Sequence, residues 1–107
     1  LPSGADVVSL IRVAYDHDDQ SVIRVLSLIR AALPAHGALL LAEPMAGVSG
    51  AEPIGDAYFG FYLLAMGKGR SRTPEKLMEL MKAAGFRDFR LLKTRRPLLV
   101  QAILAKP

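Results

Sequence analysis

The amino-acid sequence predicts an α/β fold with two neighbouring parallel strands, and three observations support that prediction. Apolar runs at residues 7–11 and 38–42 have the composition of short buried strands. A segment with helical periodicity lies between them, and strand, helix and strand in this order form the crossover unit of a parallel sheet. Both runs lead directly into reactive side chains, which such sheets present at their carboxyl ends. These are Tyr15-Asp16-His17-Asp18-Asp19 after the first run and Glu43-Pro44 after the second.

Length and composition indicate one small domain with more apolar surface than it needs. The chain has 107 residues, enough for one core. Its hydrophobic fraction of 51% is high, yet no apolar run approaches the ~20 residues of a membrane span. We therefore expect a lipophilic ligand or a partner. The absence of cysteine excludes disulfides and thiolate metal sites. No signal peptide is visible, and since the first residue is Leu rather than Met, we expect part of a longer chain.

Charge is distributed unevenly along the chain. Residues 1–56 carry three Arg against seven Asp and Glu, a balance of −4, whereas residues 57–107 carry eleven Lys and Arg against three acids, a balance of +8. The cations form two clusters, which are Lys68, Arg70 and Arg72, and then Arg87, Arg90, Lys93, Arg95 and Arg96. A solvated face explains these clusters better than nucleic-acid binding, because the adjacent Phe86 and Phe89 have the pattern of core residues.

Helix signals follow each of the first two strands. Asp18 or Asp19 is a suitable cap for a helix from about Gln20 to Leu33, whose many apolar positions predict that it is mostly buried. After the second strand, a loop rich in Pro and Gly over 43–53 precedes an almost wholly apolar helix at 56–66. The next helix is predicted to begin at Thr73-Pro74-Glu75 and to end at Gly85.

Two closing strands complete the predicted fold, at 86–92 and 98–104. The short connection 93–97 makes them antiparallel neighbours.

The order of these parts resembles the carboxyl-terminal half of the S-adenosylmethionine-dependent O-methyltransferase fold. The resemblance covers essentially the whole chain, and the motifs that carry it are the stretch 4–19, Leu40-Leu41-Ala42-Glu43-Pro44, Arg70-Ser71-Arg72-Thr73 and Ala83-Ala84-Gly85-Phe86. The stretches 43–47 and 55–62 are most similar to the bacterial carotenoid branch of the family, the hydroxyneurosporene and demethylspheroidene O-methyltransferases.

This resemblance implies the fold class in more detail. It implies a Rossmann-like class I methyltransferase sheet, in which two parallel strands lie beside an antiparallel closing pair. It also implies that residues 1–107 form a single domain, the carboxyl-terminal part of the catalytic domain, and that the glycine-rich cofactor loop lies before Leu1. Gly67-Lys68-Gly69 does not replace that loop, because it follows a predicted helix rather than a strand.

The resemblance assigns the catalytic positions to Tyr15 and Glu43. Tyr15 stands where much of the family has a His base, and a phenol with an ordinary pKa of ~10 is a poor base near neutrality. Tyr15 is therefore expected to orient the substrate or to be structural. Glu43 matches the family's acidic partner, and burial beside an apolar pocket would raise its pKa; a salt bridge in a loop is the alternative. Ser71 stands where the family has a second supporting Glu.

Further positions are expected to contact the cofactor or the substrate. The resemblance implies that Leu10 and Arg12 lie near S-adenosylmethionine. Met45 and the apolar helix are expected to face the substrate; the helix positions are Tyr58, Phe61, Tyr62 and Met66. His17 with its three neighbouring Asp residues has metal-ligand chemistry, but we expect a helix cap and a solvated cluster there, and no metal site.

The function implied is methyl transfer from S-adenosylmethionine to the tertiary hydroxyl of an apolar carotenoid. Two alternatives remain open, a bacteriochlorophyll-precursor C-methyltransferase and a non-catalytic module that docks a partner. The resemblance further implies a homodimeric full-length enzyme in the cytoplasm, with peripheral association at a membrane surface left open and no nucleic-acid partner.

Overall fold

The computed structural model describes residues 1–47, 64, 67, 69, 71–97 and 99–107. Seven helices, strands and turns are defined within these residues. They are β1 Val7–Ile11, a 3-10 turn Ala14–Asp16, α1 Asp19–Ala32, β2 Ala38–Glu43, α2 Pro74–Ala83, β3 Asp88–Leu92 and β4 Gln101–Lys106.

The strands form one mixed sheet in the order β1-β2-β4-β3. β1 and β2 are parallel, with Val7 opposite Ala38, and α1 connects them. β4 is antiparallel to both β2 and β3. Two parallel strands beside an antiparallel closing pair are the predicted arrangement, so the fold class is confirmed. The carboxyl ends of β1 and β2 therefore lie at the same edge of the sheet, together with the start of β4.

Both helices begin where the sequence predicts a capping side chain. The Asp18 carboxylate accepts a hydrogen bond from the Ser21 amide at 2.8 Å. The Thr73 hydroxyl accepts one from the Lys76 amide at 3.1 Å, and Pro74 fills the first turn, where its missing N–H costs nothing. These bonds satisfy amides that the helices themselves leave without partners.

The hydrophobic core lies between the sheet and the two helices. α1 contributes Val22, Leu26 and Ile29, and α2 contributes Leu77, Leu80 and Met81. The strands contribute Leu39, Leu41, Ile103 and Ala105. Full burial of a side chain such as Leu26 contributes about 2 kcal/mol relative to its exposure. Phe86 is wholly buried and Phe89 packs against the same cluster, as predicted for core residues.

Two elements are less buried within the described residues than the sequence predicts. β1 is not a buried strand in the described part of the chain, because it lies at one edge of the sheet, and Val7 and Ile11 are 62% and 59% exposed. α1 is not mostly buried either, because it turns only one side to the core and leaves Leu28 exposed.

Predicted boundaries hold for the first part of the chain and shift at its end. β3 begins at Asp88 rather than Phe86, whose side chain is buried in the core. β4 begins at Gln101 rather than Leu98, because Leu99 and Val100 donate their amides to the Arg96 carbonyl in a turn. Apart from Leu64, the predicted helix at 56–66 lies outside the described residues, and so does most of the loop at 43–53.

Candidate active site

Glu43 lies at the carboxyl end of β2 on the face that packs into the core. Burial alternates along this strand, so Leu39, Leu41 and Glu43 share one face, and the carboxylate is only 1% exposed. The alternation of side chains between the two faces of the strand thus places an ionisable group in the core, at the edge where the reactive segments meet.

The Glu43 carboxylate connects the ends of the two parallel strands. Its Oε1 accepts hydrogen bonds from the Val13 amide at 3.2 Å and from the Ala14 amide at 2.6 Å. Burial raises the pKa of Glu43 from its ordinary value of 4.5 to about 7, although these backbone bonds and the charge of Arg72 act in the opposite direction. Glu43 can therefore gain or lose a proton near neutral pH.

Arg72 holds the same turn from its other side. The guanidinium is buried and donates to the Ala14 carbonyl at 2.9 Å and to the His17 carbonyl at 2.7 Å. Its Nε also donates to the Asp19 carboxylate at 2.8 Å. The planar fork of an Arg suits three such acceptors at once. The prediction that Arg72 belongs to a solvated cluster is wrong, because Asp19 and two carbonyls replace the water that its charge requires. Lys68 and Arg70 of that cluster lie outside the described residues.

Gly69 permits a close approach of the chain to the turn. It has a φ of +90°, and a Cβ at this position would overlap the carbonyl oxygen of Tyr15 and the backbone of Asp16. Only glycine fits such a crossing without displacement of the backbone. The Gly at 69 therefore has a packing role beyond ending the predicted helix.

Tyr15 is buried within the turn that Glu43 and Arg72 hold. Its ring is 3% exposed, and its hydroxyl accepts a hydrogen bond from the Arg12 guanidinium at 3.2 Å. The Arg12 Cζ lies 5.8 Å from the ring centroid, within the range of a cation–π contact. Arg12 itself has a φ of +56°, which is uncommon for a residue with a side chain and marks a strained position at the end of β1.

The remaining predicted contacts divide into three groups. Leu10 is half-buried and lines a small cavity with α1 residues, whereas Arg12 is exposed. Met45 is buried in the core cluster. Tyr58, Phe61, Tyr62 and Met66 lie outside the described residues. The cofactor role of Leu10 and Arg12 and the substrate role of Met45 stay predictions.

Several polar groups complete the surroundings of the turn. The Asp16 Oδ1 and the Ser71 Oγ are buried and have no hydrogen-bond partner within the described part of the chain. His17 is exposed, and its carbonyl is bound by Arg72. Among residues 1–47, 64, 67, 69, 71–97 and 99–107, no three His, Asp or Glu side chains are placed to hold a metal ion.

Comparison with known proteins identifies the family. The model of the O-methyltransferase domain family matches residues 1–87. The chain belongs to this family. It is 42% identical to the demethylspheroidene O-methyltransferase of Rhodobacter capsulatus over 106 residues, or 99% of the chain. The corresponding enzyme of Cereibacter sphaeroides is 39% identical over 98% of the chain.

The O-methyltransferase fold is also shared with solved structures. The human N-acetylserotonin methyltransferase, crystallised in complex with SAM, matches with a TM-score of 0.87 and 31% identity over 99% of the chain and 30% of that protein. This confirms the predicted class I methyltransferase sheet. The chain spans 27% and 28% of the length of the two curated bacterial relatives. No helix in the described residues is long and apolar enough to cross a bilayer.

Two members of this site carry little signal in the sequence. Arg72 follows two other cations, which favours a surface position, although Asp19 offers a counter-charge at the start of α1. The sequence around Gly69 indicates only a helix break. Its contact with Tyr15 depends on a crossing of distant segments, and the local sequence carries no signal for that crossing.

Proposed function

We propose that the protein containing this chain transfers the methyl group of S-adenosylmethionine to the hydroxyl of an apolar carotenoid. The observation that carries the proposal is the buried Glu43, which has a pKa near neutrality at the edge where β1 and β2 end. The sequence identity of 42% and 39% with two demethylspheroidene O-methyltransferases supports a substrate of the same chemical class.

The chemistry requires alignment of two reactants and removal of one proton. The hydroxyl oxygen forms a bond to the methyl carbon while the bond from that carbon to sulfur breaks, so the substrate must lose its hydroxyl proton. A carboxylate has about four lone-pair sites, so the hydrogen bonds from the backbone amides of residues 13–15 leave Glu43 with capacity to accept that proton. A pKa of about 7 keeps a large fraction of Glu43 ionised at neutral pH.

Tyr15 and Arg12 serve as positioning residues in this proposal. The Tyr15 hydroxyl accepts a hydrogen bond from Arg12, and this bond holds both side chains at the edge where β1 ends. The exposed guanidinium of Arg12 suits the carboxylate of the methionine part of the cofactor, which supplies the electrophilic methyl group when bound.

We further infer that the chain acts as the carboxyl-terminal part of a catalytic domain. The described residues contain no glycine-rich turn between β1 and α1; Asp18 caps the helix directly after the 3-10 turn. In α/β folds, such turns and the strand end that follows hold the phosphate and ribose groups of bound nucleotides. The residues that bind the nucleoside therefore belong to another part of the protein.

The test uses the full-length protein in two steps. Calorimetric titration with S-adenosylmethionine measures cofactor binding, and chromatography with mass detection measures methyl incorporation into a hydroxylated carotenoid. Both binding and methylation are expected. Cofactor binding without methylation of any hydroxylated carotenoid would overturn the substrate assignment, and no binding would overturn the enzyme assignment.

A matched pair of variants tests the role of Glu43. Glu43→Gln is expected to lower kcat at least 100-fold, since general-base catalysis contributes about 10²- to 10⁴-fold. Glu79→Gln removes an exposed carboxylate that pairs with Lys76 on the surface, and it is expected to leave kcat unchanged. Equal activity of the two variants would remove Glu43 from the reaction.

A further inference from the structure

The connection between β3 and β4 lies at the same edge of the sheet as Glu43. Glu43 is the direct register partner of Gln101, the first residue of β4, and Leu92 at the end of β3 is opposite Ala102. Residues 93–97, 99 and 100, here called the β3–β4 tip, are therefore placed beside the candidate active site.

The tip is strongly basic. Lys93, Arg95 and Arg96 are all exposed, and none of them belongs to an ion pair within the described residues. The chain contains no Asp or Glu after Asp88, so residues 89–107 carry five cations and no acid. A positive patch that has no acidic partner among the described residues attracts an anionic surface.

Apolar side chains are exposed in the tip and on the adjoining end of β3, next to these cations. Leu99 is 46% exposed, Leu91 is 45% exposed, and Pro97 is exposed as well. Leu91 and Pro97 line a groove together with Leu92 and Lys93. Basic and apolar side chains on one surface are typical of proteins that bind at the interface of a lipid bilayer.

Hydrogen bonds give the tip a defined shape. The Thr94 hydroxyl donates to the Val100 carbonyl at 2.7 Å, and the amides of Leu99 and Val100 both donate to the Arg96 carbonyl at 3.0 Å. The three cations therefore lie on a closed turn, so little backbone conformational entropy is lost when the turn meets a surface.

We propose that the β3–β4 tip docks the protein on an anionic lipid surface and so brings the active-site edge to the bilayer. The proposal rests on the proposed function in one respect, since an apolar carotenoid dissolves in lipid and must be taken from it. Charge complementarity and the exposed Leu99 select a lipid surface over an acidic protein, because lipid accommodates both the cations and the apolar side chains.

Cosedimentation of the full-length protein with lipid vesicles, without substrate, tests the docking. Vesicles of equal parts phosphatidylcholine and phosphatidylglycerol are compared with vesicles of phosphatidylcholine alone. The protein is expected to bind the anionic vesicles, with binding that weakens as salt increases. Replacement of Lys93, Arg95 and Arg96 by Gln is expected to lower the partition coefficient about 100-fold, since each cation near such a surface contributes about fivefold.

A control variant removes the same charge from the opposite end of the fold. Lys82, Arg87 and Lys106 are exposed, and the last two lie at the far ends of β3 and β4. A five-residue strand spans about 17 Å, which exceeds the screening length of ~10 Å. Their replacement by Gln is therefore expected to change the partition coefficient less than about fivefold.

Equal losses in the two triple variants, or no preference for anionic vesicles, would overturn the proposal. A Leu99→Gln variant tests the apolar part independently of charge; it is expected to weaken binding about tenfold, also at high salt. Unchanged binding at high salt would overturn that part.

Measurements of methyl transfer distinguish the failure of the docking proposal from the failure of the proposed function. Methyl transfer to a carotenoid in vesicles is expected to show a raised KM in the tip variant, whereas transfer to the same carotenoid in detergent micelles is unchanged. Methylation without tip-dependent docking would overturn only the proposal that the β3–β4 tip binds lipid. Docking without methylation would overturn only the proposed methyl-transfer function.

Discussion

Replacement of Glu43 by Gln is expected to change how the stability of the protein depends on pH. The folded state holds the pKa of Glu43 at about 7, against 4.5 ordinarily. The folded state therefore binds more protons than the unfolded state between these two values, and the free energy of unfolding falls as pH rises through this window. The stabilisation is complete below pH 4.5 and is lost above about pH 7.

The size of this effect follows from the pKa difference. One pKa unit corresponds to 1.36 kcal/mol, so the rise of Glu43 from 4.5 to about 7 makes the free energy of unfolding fall by about 3 kcal/mol across the window. The amide of the Glu43→Gln variant has no proton to lose. The substitution also changes packing and hydrogen bonding around position 43. The free-energy cost of these changes does not vary with the titration of this residue, so it does not affect the difference in slope between the two pH profiles.

Urea unfolding followed by circular dichroism at a series of pH values measures this difference. Between pH 4 and pH 8, the free energy of unfolding of Glu43→Gln is expected to rise by about 3 kcal/mol relative to that of the wild-type protein. Glu79→Gln, the exposed control, is expected to run parallel to the wild type. Parallel profiles for wild type and Glu43→Gln would refute the burial argument. An opposite slope would show that ion pairing with Arg72, rather than desolvation, sets the pKa.

Three further substitutions test the scaffold around the site. Arg72→Met removes the donor that two buried carbonyls and the Asp19 carboxylate share, so urea unfolding is expected to show a loss of about 3 kcal/mol in the free energy of unfolding; a loss below about 1 kcal/mol would contradict the buried clamp. Asp18→Ala removes the cap of α1 and is expected to cost about 1 kcal/mol by the same measurement, with an unchanged value as the contrary result. Gly69→Ala is expected to lower both the melting temperature and kcat, because its Cβ meets the Tyr15 carbonyl; wild-type values for both would show that the crossing is loose.

Local chemistry made much of this fold predictable from the sequence. Asp18 and Thr73 cap their helices because short side-chain oxygens have few competing roles at such positions. The apolar runs at 7–11 and 38–42 predict the two strands that pair as β1 and β2. The burial of Glu43 is predicted from the family resemblance, and the two-residue periodicity of β2 places its side chain on the buried face.

Features that depend on distant segments could not be predicted in the same way. Arg72 is buried only because residues 14–19 supply its three acceptors, and the run of cations around it favours the opposite interpretation. β4 starts three residues later than predicted, since the apolar Leu99 takes part in a turn instead of the sheet. The low burial of β1 follows from its position at an edge of the sheet.

The dependence of methyl transfer on pH tests the central claim most directly, which is that Glu43 accepts the hydroxyl proton. For the full-length protein, kcat/KM for a hydroxylated carotenoid is expected to rise about tenfold per pH unit below the pKa of about 7 and to level off above it. The Glu43→Gln variant is expected to have a low kcat/KM that does not rise with pH in this range. A Glu43→Gln variant that retains both the wild-type kcat/KM and its rise with pH would contradict the claim.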